Sequence, residues 1–160
     1  MSINPASTAN NNLNFVPIKG KWDFMPLPFK ASTAIAQGTA VGIEISGNTT
    51  TGNLTAMGAE NATGADFQGI LWEPIASTDA DYATAGKLKL VAVPLDPTAE
   101  AEFLVISGTF TAADVFKTVE FASSGTGLAV DTAGKGARIT KYISSIRGQC
   151  TFVLPNTETA

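Results

Sequence analysis

The sequence predicts a mainly β fold: a compact β-barrel or sandwich with one or two short helices and an extended N-terminal arm. Three observations carry this. Short apolar–polar alternations recur along residues 35–156, at roughly the 8- to 12-residue spacing of barrels and sandwiches. Glycines at 108, 125, 127, 134, 136 and 148 punctuate these runs where turns are needed. Helical periodicity is scarce. Thr111-Ala112-Ala113-Asp114 has the spacing of a capping box, and Val115, Phe116 and Val119 follow at helical intervals.

In chain order, residues 1–18 read as a flexible arm. Its first thirteen are mostly Asn, Ser, Thr and Ala, which bury too little to offset the entropy of ordering them. Residues 19–34 form an extended anchor segment, dense in aromatic residues and proline. Pro17, Pro26 and Pro28 bar a helix or a central strand there. The anchor must pack on its own body or on a neighbouring subunit, through Trp22, Phe24, Pro26, Pro28 and Phe29.

Residues 35–156 read as a single β-rich domain, and 157–160 as a tail. Val41, Ile43 and Ile45 alternate with Gly42, Glu44 and Ser46, a half-buried strand. Gly47-Asn48 supplies a turn, and Asn53–Met57 the returning strand. Phe67–Trp72 is a buried strand ended by Pro74. Leu88 and Leu90 share one face while Val91, Val93 and Leu95 take the other, which implies a bulge or burial on both sides. Thr78–Ala85 makes a short turn. Glu102–Ser107, Thr118–Phe121, Leu128–Val130 and the pair Ala137–Ile143 and Gln149–Leu154 complete the strands.

The missing residue types exclude whole chemistries. The chain has no His and one Cys, so His-dependent triads and the common zinc, copper and iron sites are closed to it. Cys150 lies in an alternating run and reads as a small buried strand residue. Fourteen acidic against ten basic residues give a net charge of −4, with no basic footprint for nucleic acid or an anionic membrane. No apolar stretch approaches the length of a membrane-spanning helix. The N-terminus lacks a secretory pattern, so synthesis in a cytoplasm is expected.

Several motifs have ordinary explanations. The sequons at Asn48, Asn53 and Asn61 arise easily in a Thr-rich chain. Asp79-Ala80-Asp81 lacks the further oxygen ligands of a cation site and reads as a capped loop. Gly125-Thr126-Gly127 and Gly134-Lys135-Gly136 lack phosphate-loop spacing and read as hairpin turns. Arg138, Lys141 and Arg147 are too few for a phosphate patch and suit interface ion pairs. Among the carboxylates only Glu73, beside Trp72, has a setting that suggests a hydrolase. A non-enzymatic protein with no cofactor, metal or small-molecule substrate is therefore expected.

Gly69-Ile70-Leu71 leads into Asp79-Ala80-Asp81-Tyr82-Ala83; Val93-Pro94-Leu95, Ala112–Lys117 and Leu128–Thr132 precede the closing strand pair of Ile143 to Leu154. With the polar arm, these phrases make residues 65–154 similar to the head decoration (cement) proteins of tailed bacteriophages. The segments Trp22–Phe29 and Met57–Asp66 have no counterpart in that likeness. The resemblance implies a structural virion protein, a homotrimer on the outer surface of an icosahedral capsid that stabilises the expanded head. Its partner would be the major capsid protein. The arm would pair with capsid subunits, with Leu13, Asn14, Phe15, Val16, Pro17 and Ile18 as the binding candidates. The alternative is a non-catalytic β-sandwich module of a virion that binds a host receptor or carbohydrate. Trp22, Trp72 and Tyr82 would then be exposed stacking residues.

Overall fold

A computed structural model describes residues 14–58 and 66–153 of the chain. They form β1 (Phe15–Lys19), β2 (Trp22–Phe29), β3 (Ala40–Ser46), β4 (Thr49–Ala56), β5 (Phe67–Leu71), β6 (Lys87–Pro94), β7 (Glu100–Ser107), β8 (Thr118–Phe121), β9 (Leu128–Ala133), β10 (Ala137–Ser144) and β11 (Arg147–Phe152). A 3₁₀ turn spans Ala112–Asp114. The fold is mainly β, as its alternating runs and turn glycines predict.

Five strands close a small barrel in the order β2-β4-β3-β5-β6. The other six form a sheet in the order β1-β7-β11-β10-β8-β9. That sheet curls on itself, because β9 also pairs in parallel with β7, Val105 opposite Leu128 and Ser107 opposite Ala129.

One ribbon ties the two sheets together. In the larger sheet β1 lies antiparallel to β7, with Phe15 opposite Phe103. In the barrel β2 lies antiparallel to β6, from Trp22 opposite Pro94 to Phe29 opposite Lys87. The crossing falls at Gly20, whose φ of 85° is left-handed and whose α-carbon lies against the Thr98–Ala99 backbone. A Cβ there would collide with main chain, so only glycine fits.

The ribbon also explains how prolines enter a paired strand. Pro26 faces Leu90, Pro28 faces Leu88, and Pro94 faces Trp22. All three fall on one parity of the ladder. The next pair, Lys21 and Leu95, is the hydrogen-bonded type, with the Leu95 N–H donating to the Lys21 carbonyl at 2.9 Å. The prolines therefore occupy non-bonded positions and remove no ladder hydrogen bond. On its other side β2 pairs with β4 only at Phe29–Leu54, so most of its length is an edge.

Barrel strands β3, β5 and β6 serve two cores at once. Ala40, Ile70 and Ala92 face a core shared with the larger sheet. Their neighbours Val41, Leu71 and Val91 face the barrel interior with Phe29, Ile35, Leu54 and Ile75. The shared core holds Phe15, Phe67, Phe103, Phe121 and Phe152. Phe67 stacks on Phe152 at 4.5 Å and on Phe121 at 5.1 Å between ring centroids. The change of face in Leu88–Leu95 is thus burial on both sides at Val91 and Ala92.

Two expectations need correcting. Residues 14–18 are not part of a flexible arm: Phe15 and Val16 are buried, and β1 is paired with β7. The anchor 19–34 is likewise no separate unit, because β2 is a wall of the barrel. The reason is physical. Phe15, Val16 and Ile18 supply the apolar surface that the first thirteen residues lack, and the N-terminal half of β7 offers a free edge to bond it. The one or two helical turns expected after Thr111 form as a single 3₁₀ turn. Its capping box forms, with the Thr111 N–H donating to Asp114 Oδ2 at 2.8 Å. Phe116 then takes a φ of 75° and gives its N–H to the Ile139 carbonyl at 2.7 Å, which commits the backbone to β10 instead. Leu13, Asn61 and the tail 157–160 lie outside the described residues.

Candidate functional site

The residues singled out for outside contact divide sharply. Phe15 and Val16 are buried, as is Pro17, and Ile18 is half-buried. The Asn14 carbonyl accepts the Leu104 N–H at 2.9 Å. Of these capsid-binding candidates, Phe15 packs in the shared core, and the backbone from Phe15 on pairs with β7. Of the interface candidates, Phe29 is fully buried in the barrel. Trp22 packs edge-on to Phe152 at 5.9 Å and donates its Nε1 hydrogen to the Lys19 carbonyl at 2.9 Å. Phe24 packs edge-on to Trp72 at 5.9 Å. Pro28 is half-buried, and Pro26 is exposed.

The aromatic residues of the carbohydrate-binding alternative are similarly occupied. Trp72 is buried against Phe24, and Tyr82 packs against the barrel interior with Lys87 Nζ 5.7 Å from its ring centre. Glu73, the hydrolase candidate, accepts the Leu90 N–H at 3.1 Å and so fastens an edge of β6.

The barrel end holds two residues that alternation misassigns. Leu88 is 60% exposed while Lys87 and Lys89 on either side are buried. Lys87 Nζ donates to the carbonyls of Lys30 at 2.7 Å, Tyr82 at 2.9 Å and Thr84 at 3.4 Å. Lys89 Nζ lies 3.2 Å from Asp81 and 3.8 Å from Asp79. Burial opposes the Lys89 ammonium, but Asp81, Glu73 and Asp79 together outweigh it and raise its pKa. Asp79 also accepts the Ala76 N–H at 2.9 Å. The Asp79-Ala80-Asp81 loop is therefore a capped turn that neutralises a buried lysine. Its signal in the sequence was Lys87 and Lys89 spaced two apart within a strand run, with acidic residues just ahead.

Cys150 is buried, and burial pushes its thiol pKa well up, so it is a packing residue. Among the described residues, no group of three or more metal-ligating side chains comes together. No helix of these residues is long and apolar enough to cross a membrane.

Exposed apolar side chains gather at one end of the larger sheet. Ile106 ends β7, Tyr142 and Ile143 end β10, and Ile146 sits in the turn to β11. The Val105 N–H donates to the Ile146 carbonyl at 2.8 Å, which brings the β7 end and the hairpin tip together. Tyr142 leans on buried Phe110 at 5.1 Å, continuing the core out to the surface. Exposed apolar side chains this close together, on a chain with 15% charged residues, make the hairpin tip a candidate interaction surface. No protein-family profile, curated protein or solved structure matches this chain.

Proposed function

We propose that the chain is a structural, non-enzymatic protein that decorates and stabilises the outer surface of a phage capsid as a homotrimer. The observation that carries this reading is the exposed apolar tip of the β10–β11 hairpin, Tyr142, Ile143 and Ile146. Burying such side chains against copies of the same chain is favourable by roughly 1.5–3 kcal/mol each, and closed symmetry hides the patch. Capsid contact falls to residues 1–13, because Phe15 to Ile18 are already engaged in the body. A polar segment ahead of an edge strand suits pairing with a sheet edge of another protein. Three such segments on one trimer raise avidity without strong individual contacts.

Two measurements test it. Light scattering should give a mass of about 50 kDa, three copies of the chain. The double variant Ile143→Asp/Ile146→Asp should give a folded monomer; an unchanged mass would remove the patch from the interface. Deleting residues 1–13 should leave a folded protein that no longer binds expanded capsids, whereas binding at unchanged affinity would sink the capsid role of that segment.

A further inference from the structure

Three residues lie in one row across β8, β9 and β7: Glu120 opposite Ala129, and Ala129 opposite Ser107. Strands sit about 4.8 Å apart, so Glu120 and Ser107 flank a gap of roughly 10 Å floored by a single methyl group. The gap is the bottom of a cleft of about 380 Å³, whose walls include Ile106, Phe121 and Thr132. Irregular pairing keeps it open. Val119 pairs with Ala133 and Glu120 with Ala129, so Val130, Asp131 and Thr132 bulge away from β8.

The lining carries one carboxylate, Glu120. On the far rim Ser107 Oγ donates to both oxygens of neighbouring Asp131, at 3.1 Å each. On the near rim Glu120 is half-buried, and no described residue donates to its carboxylate or pairs with it. Gly134 lies so close that a Cβ would strike the Glu120 carboxylate, which restricts where the side chain can go. Burial raises the Glu120 pKa, the sign of an anion that has lost water without gaining a donor. Lys135, next along the chain from Gly134, makes no ion pair with it.

We propose that this cleft docks a lysine side chain presented by a partner protein. The aliphatic stem lies along Ala129 and Ile106, and the ammonium donates to Glu120. Charge complementarity selects this occupant: an apolar floor beside an unpaired, half-buried carboxylate fits a primary ammonium on a flexible apolar stem. An anionic or purely apolar group would leave Glu120 dehydrated and unpaired. The inference does not depend on the capsid reading.

Titrating ¹⁵N-labelled full-length protein with Nα-acetyl-lysine methylamide tests it. Saturable amide shifts are expected at Ser107, Glu120, Ala129 and Thr132, with millimolar affinity for the isolated side chain. The norleucine analogue, which keeps the stem and lacks the charge, should shift these residues at least tenfold less. Glu120→Gln should weaken the lysine probe about tenfold, and Ala129→Leu, which fills the floor, should do the same with Glu120 intact. A thermal melt of each variant confirms that it is folded. No localised shift, or equal shifts with norleucine or in Glu120→Gln, would overturn the proposal. Shifts that emerge only in Lys135→Ala would overturn it too, since Lys135 would then be the natural occupant.

Discussion

The Lys87 ammonium sits inside the end of the barrel, where three carbonyls from residues 30, 82 and 84 surround it. The Tyr82 carbonyl also accepts the Ser32 N–H at 2.8 Å, whereas those of Lys30 and Thr84 belong to exposed residues. Lys87→Met keeps most of the stem but takes the shared donor from all three acceptors. Each buried, unsatisfied group costs about 1–3 kcal/mol, less whatever water can enter. Lys87→Met should therefore lower unfolding free energy by about 1–3 kcal/mol, measured by urea denaturation. Lys21→Met is the control. Its ammonium is exposed and 4.0 Å from Asp96, and such pairs contribute at most about 1 kcal/mol. Equal losses for the two variants would mean that the carbonyls around Lys87 find water.

The 3₁₀ turn Ala112–Asp114 shows what an element can and cannot announce in sequence. The Thr111–Asp114 spacing predicts its cap correctly, because a capping box is a local hydrogen-bond pattern. Its length is not announced: the turn ends before Phe116, where a long-range bond to Ile139 decides the backbone. The same division runs through the fold. Strands β3, β5, β8 and β10 are legible because alternation and turn glycines are local. β1 is not, because the value of Phe15 and Val16 lies in Phe103 and its neighbours almost ninety positions away. Lys87 and Leu88 mislead because β6 faces a capped barrel end on one side and solvent on the other. The cap itself makes a pH prediction. The hydrogen bond from Lys117 at 2.7 Å, and then that from the Thr111 N–H, hold the Asp114 carboxyl below its ordinary pKa. A depressed carboxylate pKa stabilises the fold above its unfolded value and loses that contribution as pH falls through the folded one. Asp114→Asn should thus cost about 1 kcal/mol at pH 7. The difference from the parent protein should shrink as pH falls below about 4, the ordinary carboxyl value, and vanish once Asp114 is protonated in the folded protein too. A constant difference across that range would show that the charge of Asp114 is not what the cap uses.

At the scale of the whole molecule, barrel and larger sheet share a core, so neither can open without exposing the other's side chains. Ala40, Phe67, Ile70 and Ala92 come from barrel strands, whereas Phe103, Phe121, Ile139 and Phe152 come from the larger sheet. The ribbon of β1–β2 against β6–β7 also crosses from one sheet to the other without a break in pairing partner. A single cooperative unfolding transition follows, although the barrel has an interior core of its own. Both tryptophans sit beside the shared core on barrel-side segments: Trp22 contacts Phe152 of the larger sheet, and Trp72 contacts Phe24 of β2. In Trp22→Phe and Trp72→Phe variants, each with one remaining tryptophan, fluorescence should report the same unfolding cooperativity as far-UV circular dichroism. Adding Phe67→Ala, which removes the ring stacked between Phe121 and Phe152, should cost about 3–5 kcal/mol and shift both reporters equally. A Trp72 midpoint that stays in place while the Trp22 midpoint falls would mean that the barrel stands alone. The shared aromatic core would then be an interface between two units rather than the centre of one.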